Sequence, residues 1–307
     1  MKSDLYKSRS ISSCLKKAMI MMLDNLSEIF RITWIPLLLL SIFFTGVLCS
    51  FTPNKQLLDW SNNHLALSFL LLIANYIAFS FCILWSFAKS YSFVNGLYLK
   101  DNLKRCFIPF LFSLAFGYLI ISCFAGNIHK WIIIGITVIH FSSKSTNILI
   151  WLSSCFATII ICGAILPLQY AFTRYIIDSK MKLSNIFKIE YKIGLHYWGY
   201  LFVSTLITTL IMALITIVIA TPLAIIFFAN ICNSYGIITG DSDGTPSYFN
   251  ILLFITSIAC SFIILFISLW QLYTNCYICG SIKTRYTKKQ NHEETEKQYE
   301  ATENIIY

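Results

Sequence analysis

Six stretches of this chain contain no Lys, Arg, Asp or Glu: Ile32–Phe51, Leu65–Phe87, Cys106–Ala125, Ile148–Phe172, Trp198–Ala220 and Phe249–Tyr273. A helix needs ~20 apolar residues to cross a hydrocarbon core, and each stretch supplies about that many. A helix of a soluble protein keeps a charged face toward water, so blocks free of charge all round point to lipid. The reading is an all-α, polytopic membrane bundle of six transmembrane helices arranged as three hairpins. Composition agrees: 57% of the 307 residues are hydrophobic and 12% charged, where soluble domains carry about 25% charge.

A net charge of +9 in a soluble chain would suggest nucleic acid. Here its placement means something else. Of the 23 Lys and Arg, 20 fall before Ile32, in the second and fourth loops, or after Tyr273, and three fall in the alternate loops. This positive-inside bias puts both termini in the cytoplasm. The fifth loop carries only Asp241 and Asp243. The basic residues flank the spans without aromatic interleaving, so membrane lipids are the expected partner and nucleic acid is not. Residues 1–31 are punctuated by charge, and Ile32–Phe51 lacks a small-residue cleavage site, so it is read as a permanent first span.

Residues 1–31 form an amphipathic cytoplasmic segment. Leu15, Met19, Met22, Leu26, Ile29 and Phe30 recur at helical spacing, with Lys16, Lys17, Asp24 and Glu28 opposite. Such a helix is expected to lie in the interface with its apolar face in lipid. Arg31 and Trp34 suit headgroup depth, and Pro36 predicts a bend where the chain turns into the membrane. The pattern recurs: "LKDNLKRCFIPFLFSL" (Leu99–Leu114) aligns without a gap on "LSEIFRITWIPLLLLS" (Leu26–Ser41), with Ile108-Pro109 on Ile35-Pro36. A looser third copy starts at "LSNIFK" (Leu183–Lys188) and has no proline. Each copy precedes a pair of spans, which suggests three hairpins, each led in by a cytoplasmic amphipathic helix.

Two apolar pieces fall outside the six spans, Trp131–Phe141 and Pro222–Cys232. Both are too short to cross alone. They are open to three readings: interfacial helices, re-entrant pieces, or helix extensions kinked at Pro222. Three regions result: residues 1–31, a transmembrane domain over 32–273, and a polar cytoplasmic tail over 274–307, of which Lys283–Tyr307 is expected to be disordered or a frayed helix.

No span holds an ionisable residue of the kind that usually marks coupling or catalysis. The polar candidates inside are Asn75, Gln169, Tyr170 and Gln271, with Thr205, Thr208 and Thr209. They serve either as interhelical hydrogen bonds or as the lining of a substrate path. Pro167 would loosen the backbone near Gln169, which makes it a candidate hinge. The five histidines, His64, His129, His140, His196 and His292, share no ligand spacing. "DSDG" (Asp241–Gly244) lacks the remaining ligands of a calcium loop and reads as a turn. Of the eleven cysteines, Cys49, Cys82, Cys123, Cys155, Cys162 and Cys260 sit in or at the ends of spans. Cys276 and Cys279 form a CxxC without a second ligand pair or a βαβ context. No nucleotide, hydrolase or metal motif is present. No catalytic, cofactor or metal residue is assigned.

With six spans, amphipathic lead-in helices and "SISSCLKKAMIMMLDNLSEIFRITW" (Ser10–Trp34), the chain resembles poorly characterised bacterial six-helix membrane proteins. These include DUF975-type and YciC-like proteins and the membrane domain attached to some glycerophosphodiester phosphodiesterases. The resemblance is one of layout, and it implies a helical bundle in the cytoplasmic (inner) membrane with no catalytic residues. The expected function is a non-enzymatic scaffold, assembly factor or partner-binding protein that meets lipids and another membrane or cytoplasmic protein. The alternative is a permease for a hydrophobic or amphiphilic small molecule. A lipid-modifying enzyme comes third, because no acid–base pair is visible.

Overall fold

A computed structural model describes residues 2–50, 64–137, 163–239, 246 and 248–306. In chain order the helices are α1 (Lys2–Leu5), α2 (Ile11–Asp24), α3 (Leu26–Ser50), α4 (Leu65–Asn95) and α5 (Leu99–Thr137). Then come α6 (163–177), a π-helical turn (Ile186–Glu190) that runs into α7 (Tyr191–His196), α8 (Trp198–Thr239) and α9 (Phe249–Ile306). The described residues form no strand. This is the outcome lipid imposes, because a helix satisfies its own backbone polar groups.

Among the described residues, four helices are long and apolar enough to cross a membrane: Leu26–Leu48, Ala66–Asn95, Trp198–Asn233 and Ile251–Glu296. They cover most of the first, second and sixth apolar blocks and all of the fifth, with Phe51 outside the described residues. The third block, Cys106–Ala125, lies within α5. The fourth is seen only from residue 163 onward, as the start of α6, and 148–162 lie outside the described residues. The loop with Asp241 and Asp243, Cys155, Cys162, and His140 also lie outside them.

Helix α9 is the axis of the bundle, packing against α2, α3 and α8, while α4 covers α3 and α5 covers α4. The core lies at one end. Tyr273, Cys276, Tyr277, Ile278, Cys279 and Ile282 of α9 are buried there among Cys14 and Ala18 of α2, Ile29 of α3 and Ala88 of α4. Within the spans the contacts are sparser and partly polar. Thr45 Oγ1 of α3 donates to Ser257 Oγ of α9 at 3.0 Å, both buried, the kind of interhelical bond that serves where the hydrophobic effect is absent.

Three sequence expectations change, and one choice left open by the sequence is narrowed. Helix α3 runs unbroken from Leu26 to Ser50 with Pro36 inside it, and α5 likewise contains Pro109. The break comes earlier, at Asn25 (φ −116°, ψ 24°), whose side chain donates to the Met21 carbonyl at 2.8 Å. Proline removes one bond, here to the Ile32 carbonyl, and a 25-residue helix packed against neighbours tolerates that loss. The first two repeat copies therefore agree closely, both opening a long helix with proline at its eleventh residue. The third copy does not. "LSNIFK" lies in the short helical segment before a separate break at Tyr197 (φ −104°, ψ 25°).

The second change concerns α2, which buries Cys14, Ala18, Met21 and Met22 inside the protein. Met19 and Leu23 are left exposed. Small Cys and Ala side chains let α9 approach closely, and Trp270 Nε1 of α9 reaches the Leu15 carbonyl at 3.3 Å. Third, Pro222–Cys232 is part of α8, and residues 131–137 are part of α5. Both apolar pieces are helix extensions, with 138–141 outside the described residues. Fourth, the polar tail continues α9 as far as Ile306, and residues 276–282 belong to the core. Just before them, Thr274 Oγ1 is satisfied on its own helix by the Trp270 carbonyl at 2.8 Å. Further out, Lys289–Glu293 and His292–Glu296 pair at i,i+4.

Candidate functional site at the buried Arg174–Glu190 pair

At the core end of the bundle two opposite charges are buried. Arg174 lies in the last turn of α6 and Glu190 ends the π turn, and their side chains are 5% and 7% exposed. Tyr170 is four residues before Arg174, so both project from one face of α6. The Tyr170 hydroxyl donates to Glu190 Oε2 at 3.1 Å, and Arg174 Nε lies 3.9 Å from the same oxygen. From α9, Lys283 Nζ stands 3.5 Å from Glu190 Oε1. From the segment after α1, the Tyr6 hydroxyl accepts a bond from Arg174 Nη1 at 2.6 Å, with its ring 5.4 Å from the guanidinium. Asp178 adds an i,i+4 pair to Arg174 at 3.6 Å. Two cations thus face two carboxylates. Burial works against the charge on Arg174, but the Tyr6 oxygen and Glu190 outweigh it and push its pKa up. Arg174 Nε is buried with no hydrogen-bond partner among the described residues.

The surrounding elements hold this pair in place. Arg105 of α5 donates Nη1 to the carbonyls of Tyr175 at 2.7 Å and Asp178 at 3.0 Å, and Nη2 to Ser179. A cation on the free carbonyls of a helix C-terminus satisfies them and complements the dipole. Buried Asn95 and Asn102 bond each other at 2.7 Å, and Asn95 Nδ2 also reaches the Ile176 carbonyl at 3.1 Å. Gly96, in the left-handed conformation (φ 70°), closes α4 between them. On the other side of α6, Pro167 presses on Gly194 of α7. A Cβ at Gly194 would lie 2.9 Å from the Pro167 Cα.

Adjoining the pair is a cavity of about 10 Å³ lined by Gln169, Tyr170, Thr173, Ser204, Thr205 and Asn275, among others. That is space for one water at most. Cys279 also lines it and sits 3.9 Å from the Tyr170 carbonyl through its sulfur.

The structure brings together two of the four sequence candidates, Gln169 and Tyr170. Asn75 lies elsewhere, on α4, donating to the Phe43 carbonyl at 3.3 Å and packing on Gly46 of α3. Gln271 is half-buried on α9 and does not line the cavity. Thr205 lines it. Thr208 bonds back to the Ser204 and Thr205 carbonyls, and Thr209 is exposed. Pro167 is a buried packing contact. Arg174 and Glu190 were missed because both lie outside the charge-free blocks. The available signal was the Tyr170–Arg174 spacing at the end of a span, together with Glu190, an acid between Lys188 and Lys192. Among the described residues no three of His, Cys, Asp and Glu converge on a possible metal position. No family model, curated protein or solved structure matches this chain.

Proposed function

We propose that this multi-pass helical membrane protein is a non-enzymatic scaffold or partner-binding component of a bacterial inner membrane. In this reading it has six spans and both termini in the cytoplasm, as in the six-helix families it resembles in layout. The observation that carries the reading is the internal matching of charges around the buried Arg174–Glu190 pair. Arg174 and Lys283 are neutralised by Glu190 and Asp178 of the same chain, which makes this end a rigid polar platform. Arg105 and the Asn95–Asn102 pair brace it from behind. Cross-linking in native membranes, then purification in mild detergent, should recover a second protein in fixed stoichiometry. Recovery of this chain with lipid alone would overturn the reading. Topology is tested by labelling cysteines placed in 98–101 and 180–184, which should react from the cytoplasmic side only.

The permease reading rests on a different observation: Gln169, Thr173, Ser204, Thr205 and Asn275 converge from three helices. It requires the small cavity to widen in a second state. Gln169→Ala with Thr205→Val should then abolish uptake of the substrate; unchanged uptake would remove this reading.

A further inference from the structure

We propose that residues 4–10 form a strap that seals the Arg174–Glu190 pair and lifts from it without unfolding the bundle. The strap spans from α1 to the start of α2 and lies against α9 and α8. Its anchoring is mostly polar. The Arg9 N–H donates to Ser281 Oγ at 2.9 Å. The Arg9 carbonyl accepts from Tyr200 at 3.0 Å, from Ser281 at 3.1 Å and from Arg285. Asp4 pairs with Arg9 at 2.9 Å and Lys17 at 3.6 Å. Leu5 is the strap's one fully buried residue. Bonds of this kind exchange for water at small net cost, unlike burial of an apolar face. Helix α1 has four residues, too few to be stable by itself.

What the strap covers favours its release. Tyr6 lies over Arg174, bonded through its hydroxyl and facing it with its ring. A buried ion pair gives up hydration that its mutual attraction only partly returns. Lifting Tyr6 readmits water to Arg174 and then to Glu190, and that hydration offsets the broken Tyr6–Arg174 bond. The opening leads along Tyr170 to the polar cavity and to Cys279, which both share. The seat itself is specific. A Cβ at Gly280 would run into the Leu5 carbonyl oxygen and lie 2.8 Å from its carbon, so only glycine lets the strap lie down here.

That contact supplies the test, which reads strap position alone and is independent of any partner. Gly280→Ala in the full chain places a methyl group under Leu5 and should hold the strap off. Membranes are treated with a water-soluble maleimide, and alkylated cysteines are identified by peptide mass spectrometry. Labelling of Cys279 should rise about tenfold or more over the parent chain, while Cys276 and Cys106 stay protected, the mark of local opening. Tyr6→Ala, which leaves the Gly280 seat intact, should raise Cys279 labelling in the same direction. The proposal is overturned if Cys279 stays unlabelled in both variants. It is equally overturned if Cys276 and Cys106 label along with it in both, because the segment is then part of the core.

Discussion

Replacing Arg174 and Glu190 singly and together should give strongly non-additive stabilities. The closest approach of the two charges, Arg174 Nε to Glu190 Oε2, is 3.9 Å. At an effective dielectric constant of ~20, that separation is worth about 4 kcal/mol of attraction. Desolvation consumes most of it, so the intact pair contributes little net stability. Removing one partner is different. Glu190→Met leaves Arg174 buried with only Asp178 to balance it, and that carboxylate is 39% exposed. Arg174→Met leaves Glu190 with Lys283 and the Tyr170 hydroxyl. Each single variant should lose about 3 kcal/mol. The double variant, with two apolar side chains of similar volume, should lose under ~2 kcal/mol, a coupling of about 4 kcal/mol. Denaturant titration of the purified protein in detergent micelles, followed by tryptophan fluorescence, gives all four free energies. Additivity within ~0.5 kcal/mol would falsify the claim that these side chains act as a pair.

Three further outcomes follow from the same end of the molecule. Gly194→Ala sets a methyl group 2.9 Å from the Pro167 Cα, a backbone atom, so α6 and α7 must separate; thermal stability in detergent should fall by several degrees, and an unchanged midpoint would show that the contact gives way freely. Asn102→Leu removes the bond the buried Asn95 amide makes to it at 2.7 Å, leaving Asn95 the Ile176 carbonyl and the Leu97 N–H, and should cost ~1–2 kcal/mol, against no measurable loss for Lys100→Ala on the exposed face. The Asp4 carboxyl titrates below its ordinary range, first because Lys7 donates to it at 2.9 Å and then because Arg9 and Lys17 lie near, with partial burial opposing them. A depressed carboxylate stabilises above its unfolded pKa and loses that contribution as pH falls through the folded one. Hydrogen-exchange protection at residues 5–10, corrected for the intrinsic rate, should therefore fall below about pH 3.8 and stay high at neutral pH, while Asp4→Asn should show low protection at both.

The apolar blocks were legible because lipid sets a one-dimensional rule, a long run without charge, and a run is visible in one sequence. The bend assigned to Pro36 failed because the penalty for proline is judged per residue. Helix α3 has ten residues before Pro36 and fourteen after it to hold the helical path. The turn instead falls at Asn25, whose side-chain amide and backbone N–H both cap the Met21 carbonyl at the end of α2. The Arg174–Glu190 pair was not legible for a different reason. Its members are sixteen residues apart and joined by a turn and a π-helical segment, and no periodicity specifies where such a connection returns. Tyr6 and Lys283 reach the same point from opposite ends of the chain.

The position of the core shows why the tail was misread. In the apolar windows of α4 and α8 only 11% and 6% of residues are buried within the protein. Leu70, Ile77, Leu214 and Val218 face outward. Against lipid that exposure costs nothing, and the hydrophobic effect offers no reason to bury them. Dense burial appears at one end of the bundle, around Cys276–Ile282 of α9. That stretch follows directly on the last apolar block, which ends at Tyr273. Apolar side chains facing water gain about 25 cal/mol per Å² buried, and a conventional core of this kind is what a water-facing end of the bundle would build. The sequence of that stretch, "CYICGSI", has the mixed texture of a soluble core helix. It carries no charge, and the polar pair Thr274-Asn275 before it makes it look like the start of a tail, yet it is where the fold is held together.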